Sequence, residues 1–271
     1  MSSGFWFLAS TSARGPRSAA VRSAQYAFAG DGRRALGFAR ELVQAKIKNQ
    51  RTLVRRNWRG DPADREAVIE HLKRLADKTA FAEDRAVLLG LEGEAAAAYF
   101  RAFPRLFTET ASALPAFDFA RRTRHPPADP VNACLSLCYA LLTRAISTAC
   151  EIAGLDPWIG LYHVERPGRP ALALDLMEPF RPILADSAVL TAVNNGELGP
   201  DDFIRSGPGC ALKTNARRRL VAAFERRLDQ EATHPLFGYQ LSMRRMLHVQ
   251  ARLLAKHLKG EIAAYPHYVP R

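Results

Sequence analysis

The sequence predicts a mainly α fold, and three observations lead to that prediction. Apolar residues recur at helical spacing through most of the chain beyond residue 20. Aspartate followed by proline, the pattern of an N-cap with proline at the first helical position, occurs at Asp61-Pro62 and Asp129-Pro130. A strand pattern, FWFLAS, lies near the N-terminus. We therefore expect a strand and connector over residues 1–20 and a helical domain over residues 21–271.

The composition indicates a globular protein with a polyanionic partner. Of the 271 residues, 48% are hydrophobic, while 39 Lys and Arg outnumber 27 Asp and Glu and give a net charge of +12. Such a charge favours nucleic acid as the partner, with an anionic membrane surface as the alternative. No apolar run approaches the roughly 18 to 20 residues of a membrane span, and no secretory signal is evident. We expect a cytoplasmic protein without a membrane segment.

The first long helical stretch, Arg22 to Val54, becomes strongly basic in its second half. Leu36, Val43 and Ile47 have helical spacing there. A basic run is consistent with either a solvated helix face or a row of phosphate contacts, and the scarcity of acids after Glu41 keeps phosphate contact open. The cations of this run are Lys46, Lys48, Arg51, Arg55, Arg56 and Arg59.

A later helix, over AVLLGLEGEAAAAYFRAF, places an acid among its apolar residues. Leu88, Ala95 and Tyr99 form one stripe, Glu92 falls within that stripe, and Glu94 should face solvent. Burying a carboxylate is costly unless a cation or hydrogen-bond donors compensate for the lost water. Glu92 is therefore either a metal ligand or one half of a core ion pair with an arginine.

The longest predicted helix starts at Asp129-Pro130 and ends at Gly154. It is apolar almost all the way round, which predicts a central buried helix. Cys134 and Cys138 within it are interpreted as reduced core residues. Further helices are expected over residues 183–193, 215–230 and 239–258, with an irregular excursion over residues 197–212.

The stretch over residues 161–182, LYHVERPGRPALALDLMEPFRP, holds the densest candidate chemistry. His163, Asp175 and Glu178 lie within it, and the two acids are spaced to share one helix face. One imidazole and two carboxylates suit magnesium or manganese, whereas a lone histidine is also common as a hydrogen-bonded core residue. The two prolines after Glu178 cannot donate backbone hydrogen bonds, so a helix must kink or begin near the acids.

Four motifs in order carry a family resemblance: AKIKNQRTLVRRN, LEGEAAAAYF, RTRHPPADPVNACLSLCYALL and LYHVERPGRPALALDLMEPFRP. Together they resemble the CRISPR-associated spacer-acquisition integrase, or Cas-one, family, and the resemblance extends from Arg22 to Tyr265. It implies an all-helical catalytic domain preceded by a small β domain. Residues 1–20 would then be a remnant of that β domain and its linker.

The resemblance also implies a metal site and a reaction. The family is a metal-dependent DNA endonuclease and integrase, and its motifs place the metal ligands on Glu92, His163 and Glu178, with Asp175 beside them as support. The implied cofactor is Mg²⁺ or Mn²⁺, and the implied reaction joins the 3′ hydroxyl of an incoming DNA to the edge of a CRISPR repeat by transesterification. The implied partners are double-stranded DNA, a second copy of the chain in a homodimer, and a small second CRISPR adaptation subunit that bridges two dimers.

The basic clusters are expected to hold DNA mainly through its phosphates. Two other interpretations remain open. The chain could be a non-catalytic basic helical scaffold whose acids serve only as core ion pairs, or a metal-dependent phosphoesterase for small molecules, which the charge of +12 argues against. The residues expected to contact DNA are Arg22, Lys46, Arg55, Arg56, Arg124 and Lys213.

Overall fold

The computed structural model describes residues 17–114, 117 and 119–270, and the predicted strand FWFLAS lies outside them. The described residues are mainly helical, as predicted. Helix α1 begins at Arg17, three residues before the predicted boundary at residue 20, and the rest of the expected connector lies outside the described residues. The helices are α1 (Arg17–Gly30), α2 (Gly32–Asn57), α3 (Pro62–Lys78), α4 (Arg85–Ala102), α5 (Glu109–Ser112), α6 (Pro130–Ile152), α7 (Ala171–Met177), α8 (Ser187–Asn194), α9 (Thr214–Asp229) and α10 (Met243–Leu258). The strands are β1 (Phe203–Ser206), β2 (Gly209–Leu212), β3 (Glu231–Thr233) and β4 (Gln240–Ser242).

The stretch expected as one helical run from Arg22 to Val54 is divided into α1 and α2 at Asp31. Asp31 has extended backbone angles, φ −91° and ψ 95°, and its carboxylate accepts hydrogen bonds from the backbone N–H groups of Arg33 and Arg34, each at 3.1 Å. An aspartate in this conformation caps a helix start, so it interrupts a run whose apolar spacing alone continues.

Helix α2 is the centre of the first group of helices and contacts α1, α3 and α4. Leu42, Val43 and Ile47 are fully buried along it. Lys46 and Asn49 are buried as well, at 6% and 1% exposure. Because these polar residues alternate with the apolar ones, α2 carries hydrogen-bonding and charged groups into the interior, where they need partners.

Helix α6 is the centre of the second group and contacts α7, α8, α9 and α10. Its predicted ends are confirmed: the Asp129 carboxylate accepts from the backbone N–H of Asn132 at 2.8 Å, and Gly154 after the helix has a φ of +83°. Cys134 and Cys138 are buried free thiols, as expected. The left-handed conformation at Gly154 is one that glycine adopts without a steric penalty, so the chain turns there.

The expectation that no segment is apolar enough to cross a membrane was wrong for α6. Within the described part of the chain, α6 is the one helix that has the length and composition of a membrane span. Its buried side chains, Leu135 and Leu142 among them, pack in the hydrophobic core. A core helix can match a membrane span in composition because both environments lack water.

The prolines after Glu178 disrupt the helix there, as the sequence predicts. Helix α7 ends at Met177, and after a turn the chain forms a wider π-helical segment, Arg181–Asp186, that continues into α8. Pro182 has no N–H to donate to the carbonyl of Glu178, so the regular α-helical ladder cannot run through this point. The π segment contacts both α2 and α6, so the acids lie where the two helix groups meet.

The chain between α8 and α10 contains two short hairpins that the sequence did not predict. Strands β1 and β2 pair antiparallel within the expected irregular excursion. Strands β3 and β4 also pair, so the last helix begins at Met243 rather than at the predicted Tyr239. Each hairpin is too short to show a period-two pattern, and its stability comes from the helices that it contacts.

Asn49 connects α2 to the turn that carries Glu178. Its side-chain amide donates hydrogen bonds to the backbone carbonyls of Pro179, at 2.8 Å, and of Tyr268, at 2.9 Å. Tyr268 in turn stacks on Phe180, with ring centroids 5.1 Å apart. The C-terminal tail, the turn after α7 and α2 are therefore joined at one buried side chain.

We predict that Asn49→Ala lowers the free energy of unfolding by about 2–4 kcal/mol, because two buried carbonyls lose their donors. Urea denaturation followed by circular dichroism measures this change. Asn57→Ala is the matched control, since the Asn57 amide donates to the carbonyl of Leu53 in its own helix. This substitution should cost less than about 1 kcal/mol. Equal losses in the two variants would contradict the bridging role of Asn49.

Candidate functional site

The buried carboxylate of Asp175, on α7, organises the loop that carries His163. Its two oxygens accept hydrogen bonds from the backbone N–H groups of Leu161 at 2.7 Å, Tyr162 at 3.0 Å and His163 at 2.8 Å. Gly160 precedes these donors, and a Cβ there would lie 2.6 Å from the carbonyl oxygen of His163 and 3.1 Å from the Asp175 carboxylate. Only glycine lets the loop approach this closely.

The imidazole of His163 is held by the same carboxylate. Its Nδ1 lies 2.6 Å from Asp175 Oδ1, so Nδ1 carries the hydrogen and Nε2 presents a lone pair. Nε2 lies 3.9 Å from Glu178 Oε1. Asp175 therefore supports His163 from behind, as the resemblance implies, and Nε2 faces the second acid.

Lys46 lies between the two glutamates predicted as metal ligands. Its ammonium Nζ is 2.5 Å from Glu92 Oε1 and 2.7 Å from Glu178 Oε2. Burial opposes the charge on Lys46, but Glu178 and Glu92 outweigh that effect and raise its pKa. Glu92 thus faces inward as predicted, and its partner is a lysine rather than an arginine.

Each glutamate has a second partner that fixes its orientation. The hydroxyl of Tyr162 donates to Glu92 Oε2 at 2.6 Å, and Arg181 lies 3.3 Å from Glu178 Oε1. Burial favours the neutral form of Glu178, but the charges of Arg181 and Lys46 outweigh it and lower its pKa to about 2. Glu178 is therefore an anion at neutral pH despite being only 1% exposed.

These side chains line one cavity of about 410 Å³ with a strongly basic wall. His163, Glu92, Glu178 and Lys46 line it with side chains that are at most 17% exposed. The arginines that line the rest of it are Arg85, Arg124, Arg166, Arg169 and Arg181. A cavity with acids and an imidazole inside and arginines around them suits a phosphate-bearing ligand that must also meet a cation.

The residues predicted to contact DNA are distributed unevenly. Arg124 lines the site cavity and is exposed. Arg55 and Arg56 are exposed at the end of α2, Lys213 is exposed at the start of α9, and Arg22 is half-buried in α1. None of these four lines the site cavity.

Lys46 requires a correction. It was predicted as a DNA phosphate contact, but it is buried and its ammonium is engaged by two carboxylates. The basic run on α2 is therefore not one uniform face. Lys46 and Lys48 are two positions apart on a helix, about 200°, so one can turn inward while the other faces outward.

A buried polar network extends from Arg181 into the core. The guanidinium of Arg181 lies over the ring of Tyr139, 4.7 Å from its centroid. The hydroxyls of Tyr139 and Tyr99 both donate to the Asp186 carboxylate at 2.7 Å. The network thus joins Arg181 to Asp186 through the ring and hydroxyl of Tyr139.

Sequence reasoning missed several residues that surround the site. Arg181 could have been found, because it stands three residues after Glu178 and faces it. Arg166 and Arg169 lie in the same quoted stretch, in the loop between His163 and α7. Tyr162 gave no signal of its own, since its contact with Glu92 joins residues far apart in sequence.

The donors present are of the kinds that a hard divalent cation takes, but they do not yet form a closed set. Among the residues that the structure describes, no three His, Cys, Asp or Glu side chains are grouped closely enough to hold a metal ion. The 3.9 Å between His163 Nε2 and Glu178 Oε1 does suit two ligands of one ion, which lie about 3–4 Å apart when each is about 2.1 Å from it. For Glu92 and Glu178 to join His163 around one ion, both would have to turn from Lys46, which now holds them.

The described residues thus form a helical core with an imidazole, carboxylates and arginines around one cavity. Residues 1–226 match the model of the family described as "CRISPR associated protein Cas1". The chain belongs to the Cas1 family.

Known relatives and structures agree with this membership. A CRISPR-associated exonuclease Cas4/endonuclease Cas1 fusion from Rhodospirillum rubrum is 69% identical over 271 residues, which are 100% of this chain and 47% of the fusion. A CRISPR-associated endonuclease Cas1 from Leptospira interrogans is 33% identical, covering 90% of this chain and 97% of that protein. A partial Cas6-RT-Cas1–Cas2 complex has a chain with a TM-score of 0.81 at 26% identity, covering 97% of this chain and 76% of that one. The chain thus spans about half the length of the R. rubrum relative.

Burial raises the pKa of Asp186 to about 6, although hydrogen bonds from Tyr139 and Tyr99 oppose the rise. The folded protein therefore keeps a proton on Asp186 that the unfolded chain has lost, and stability falls as the pH rises towards and through 6. We predict that the contribution of Asp186 protonation to the free energy of unfolding declines by about 1–1.5 kcal/mol between pH 5 and pH 7.5. The Asp186→Asn variant should lack this pH-dependent contribution.

Urea denaturation of wild type and variant at both pH values measures the difference. The stability of Asp186→Asn relative to wild type should rise by that amount from pH 5 to pH 7.5. Asp77→Asn, at an exposed position of α3, is the control and should keep a constant offset. A constant offset for Asp186→Asn as well would contradict the prediction.

Proposed function

We propose that this chain is a divalent-metal-dependent DNA integrase and endonuclease of CRISPR adaptation, which joins the 3′ hydroxyl ends of new spacer DNA to a CRISPR repeat. The observation that carries the proposal is the meeting of His163, Glu92 and Glu178 in one arginine-lined cavity. Membership of the Cas1 family supports it, and so do relatives whose names include endonuclease.

Glu92, His163 and Glu178 would hold the metal, Mg²⁺ or Mn²⁺. When bound, such a cation polarises the scissile phosphodiester and stabilises the charge that develops on it. Asp175 keeps the His163 ring in the tautomer that leaves Nε2 available, and Tyr162 fixes the direction of Glu92. The proposed ligands are two carboxylates and an imidazole with no thiolate, a set that favours Mg²⁺ or Mn²⁺ over zinc.

The arginines on the cavity wall would position the DNA through its phosphates. Arg124, Arg166 and Arg169 reach the cavity from two separate loops, so they can contact phosphates on either side of the reacting one. In the reaction the incoming 3′ oxygen forms a bond to phosphorus while the bond to the departing 3′ oxygen breaks. The number of phosphodiester bonds is unchanged, so no energy cofactor is needed.

The remaining features of the proposal concern assembly. We place the protein in the cytoplasm of a prokaryote, where its double-stranded DNA substrates are. We expect it to act as a homodimer, with a small second CRISPR adaptation subunit bridging two dimers. A structural neighbour from a partial Cas6-RT-Cas1–Cas2 complex supports the second subunit.

Glu92→Gln and His163→Ala should each reduce Mn²⁺-dependent strand transfer at least about 100-fold, because each removes a ligand needed for charge stabilisation in the transition state. Strand transfer of a labelled oligonucleotide into a repeat-containing duplex, with the second subunit present and absent, measures this. Glu94→Gln is the matched control, being exposed on the same helix.

DNA retention in a gel should be unchanged in all three variants. The competing interpretation, a non-catalytic basic scaffold that keeps its acids only as core ion pairs, predicts no strand transfer in wild type or no difference between wild type and these variants. Either result would refute the integrase proposal.

Arg124→Ala should weaken DNA binding several-fold and reduce the slope of log K against log salt by about 1, the effect of losing one phosphate contact. Fluorescence anisotropy of a labelled duplex across a salt series measures both quantities. Arg244→Ala is the control, because its guanidinium is already paired with Glu225 and Asp229. A slope that falls equally in both variants would contradict a specific role for the cavity wall.

A further inference from the structure

The position of the Lys46 ammonium between two acids is explained neither by the motifs nor by the proposed reaction. Nζ lies 2.5 Å from Glu92 Oε1 and 2.7 Å from Glu178 Oε2. The three side chains are 8%, 13% and 1% exposed, so water hardly screens the contact. Lys46 thus lies where a cation shared by the two carboxylates would lie.

A divalent cation and the Lys46 ammonium cannot use the same carboxylate oxygens at once. Oxygen ligands of Mg²⁺ or Mn²⁺ lie about 2.0–2.2 Å from the ion, closer than the present contacts to Nζ, and two positive centres within a few ångströms repel strongly in a site of low polarity. The other oxygens are engaged as well, since Glu92 Oε2 accepts from Tyr162 and Glu178 Oε1 faces Arg181. A metal that binds through Glu92 Oε1 and Glu178 Oε2 must therefore displace the Lys46 ammonium.

The fold allows the Lys46 side chain to move while its backbone stays in place. Helix α2 is fixed by Asn49, whose amide holds the carbonyls of Pro179 and Tyr268. Lysine has a flexible four-carbon stem, and the cavity of about 410 Å³ that it lines gives the ammonium space away from the acids. Only rotations about side-chain bonds are needed.

We infer that Lys46 is a positioning residue that acts as a replaceable internal cation. Without metal, its ammonium holds Glu92 and Glu178 together and neutralises them, so that the site is assembled before loading. A divalent metal binds by displacing it, and the lost ion pairs reduce the apparent metal affinity. The inference rests on the proposed metal site and adds the residue that competes with the metal.

The test measures Mn²⁺ binding to the full chain in the absence of DNA, by titration followed with electron paramagnetic resonance of the free ion. Lys46→Met and Lys46→Gln both remove the competing charge and should bind Mn²⁺ at least about tenfold more tightly than wild type, given the strength of close charge pairs. Lys46→Arg keeps the charge and should gain nothing. Lys48→Met is the matched control, since Lys48 on the same helix bonds to Gln44.

Thermal unfolding gives a second readout. The metal-free Lys46→Met and Lys46→Gln proteins should melt at lower temperature than wild type, because two carboxylates have lost their cation, and Mn²⁺ should raise their melting temperatures more than that of wild type. If Lys46→Met does not fold, Lys46→Gln, whose amide can still donate to one acid, provides the comparison. Affinity that is unchanged or weaker in the neutral variants would overturn the inference.

The design separates this inference from the proposed function. Tighter Mn²⁺ binding by the neutral variants, together with no strand transfer by wild type, would support the role of Lys46 and refute the integrase. Strand transfer by wild type, with affinity that does not depend on Lys46, would do the opposite. If no protein in the set bound Mn²⁺, the metal site and the role of Lys46 would both fail.

Discussion

The structure depends on neutralising two carboxylates that are buried at one end of a short helix. Asp175 and Glu178 have almost no contact with water, and an isolated ionised carboxylate in such a place would cost many kcal/mol. The compensation comes from separate parts of the chain: backbone N–H groups of the loop before α7, the ammonium of Lys46 on α2, and the guanidinium of Arg181 after the turn. The demand of these acids for partners therefore fixes how the two helix groups meet.

As a consequence, the balance of charge differs between the buried acids and the wall of the cavity. Inside, cations and anions are nearly balanced, whereas the wall of the cavity carries arginines in excess. A polyanion approaching from outside meets attraction first and meets the acids only at the end of the cavity. Such an order lets one small site attract phosphates and still retain acidic groups, which would otherwise repel them.

Whether a feature of the fold or the site could be predicted from the sequence depends on how far apart in the chain its interacting residues lie. Caps and stripes are local, so the starts of α3 and α6 and the inward direction of Glu92 were predictable. The family motifs supplied the grouping of Glu92 with His163 and Glu178, which no local pattern contains. Which of several neighbouring lysines turns inward depends on acids from distant helices, so Lys46 was misassigned. Hairpins of three or four residues leave too little pattern to detect.

Few other side chains could replace Asn49 in the two hydrogen bonds that it donates. Both hydrogens of its amide nitrogen are used, one for the carbonyl of Pro179 and one for that of Tyr268. Aspartate has the shape but no donor, serine offers one hydrogen on a shorter arm, and glutamine has the donors one carbon too far out. None of these three side chains can make both hydrogen bonds without a shift, so each would leave a buried carbonyl without its donor. The residues that relatives carry at this position would show how long they have kept the hydrogen bonds that join the C-terminal tail to the turn beside the site cavity.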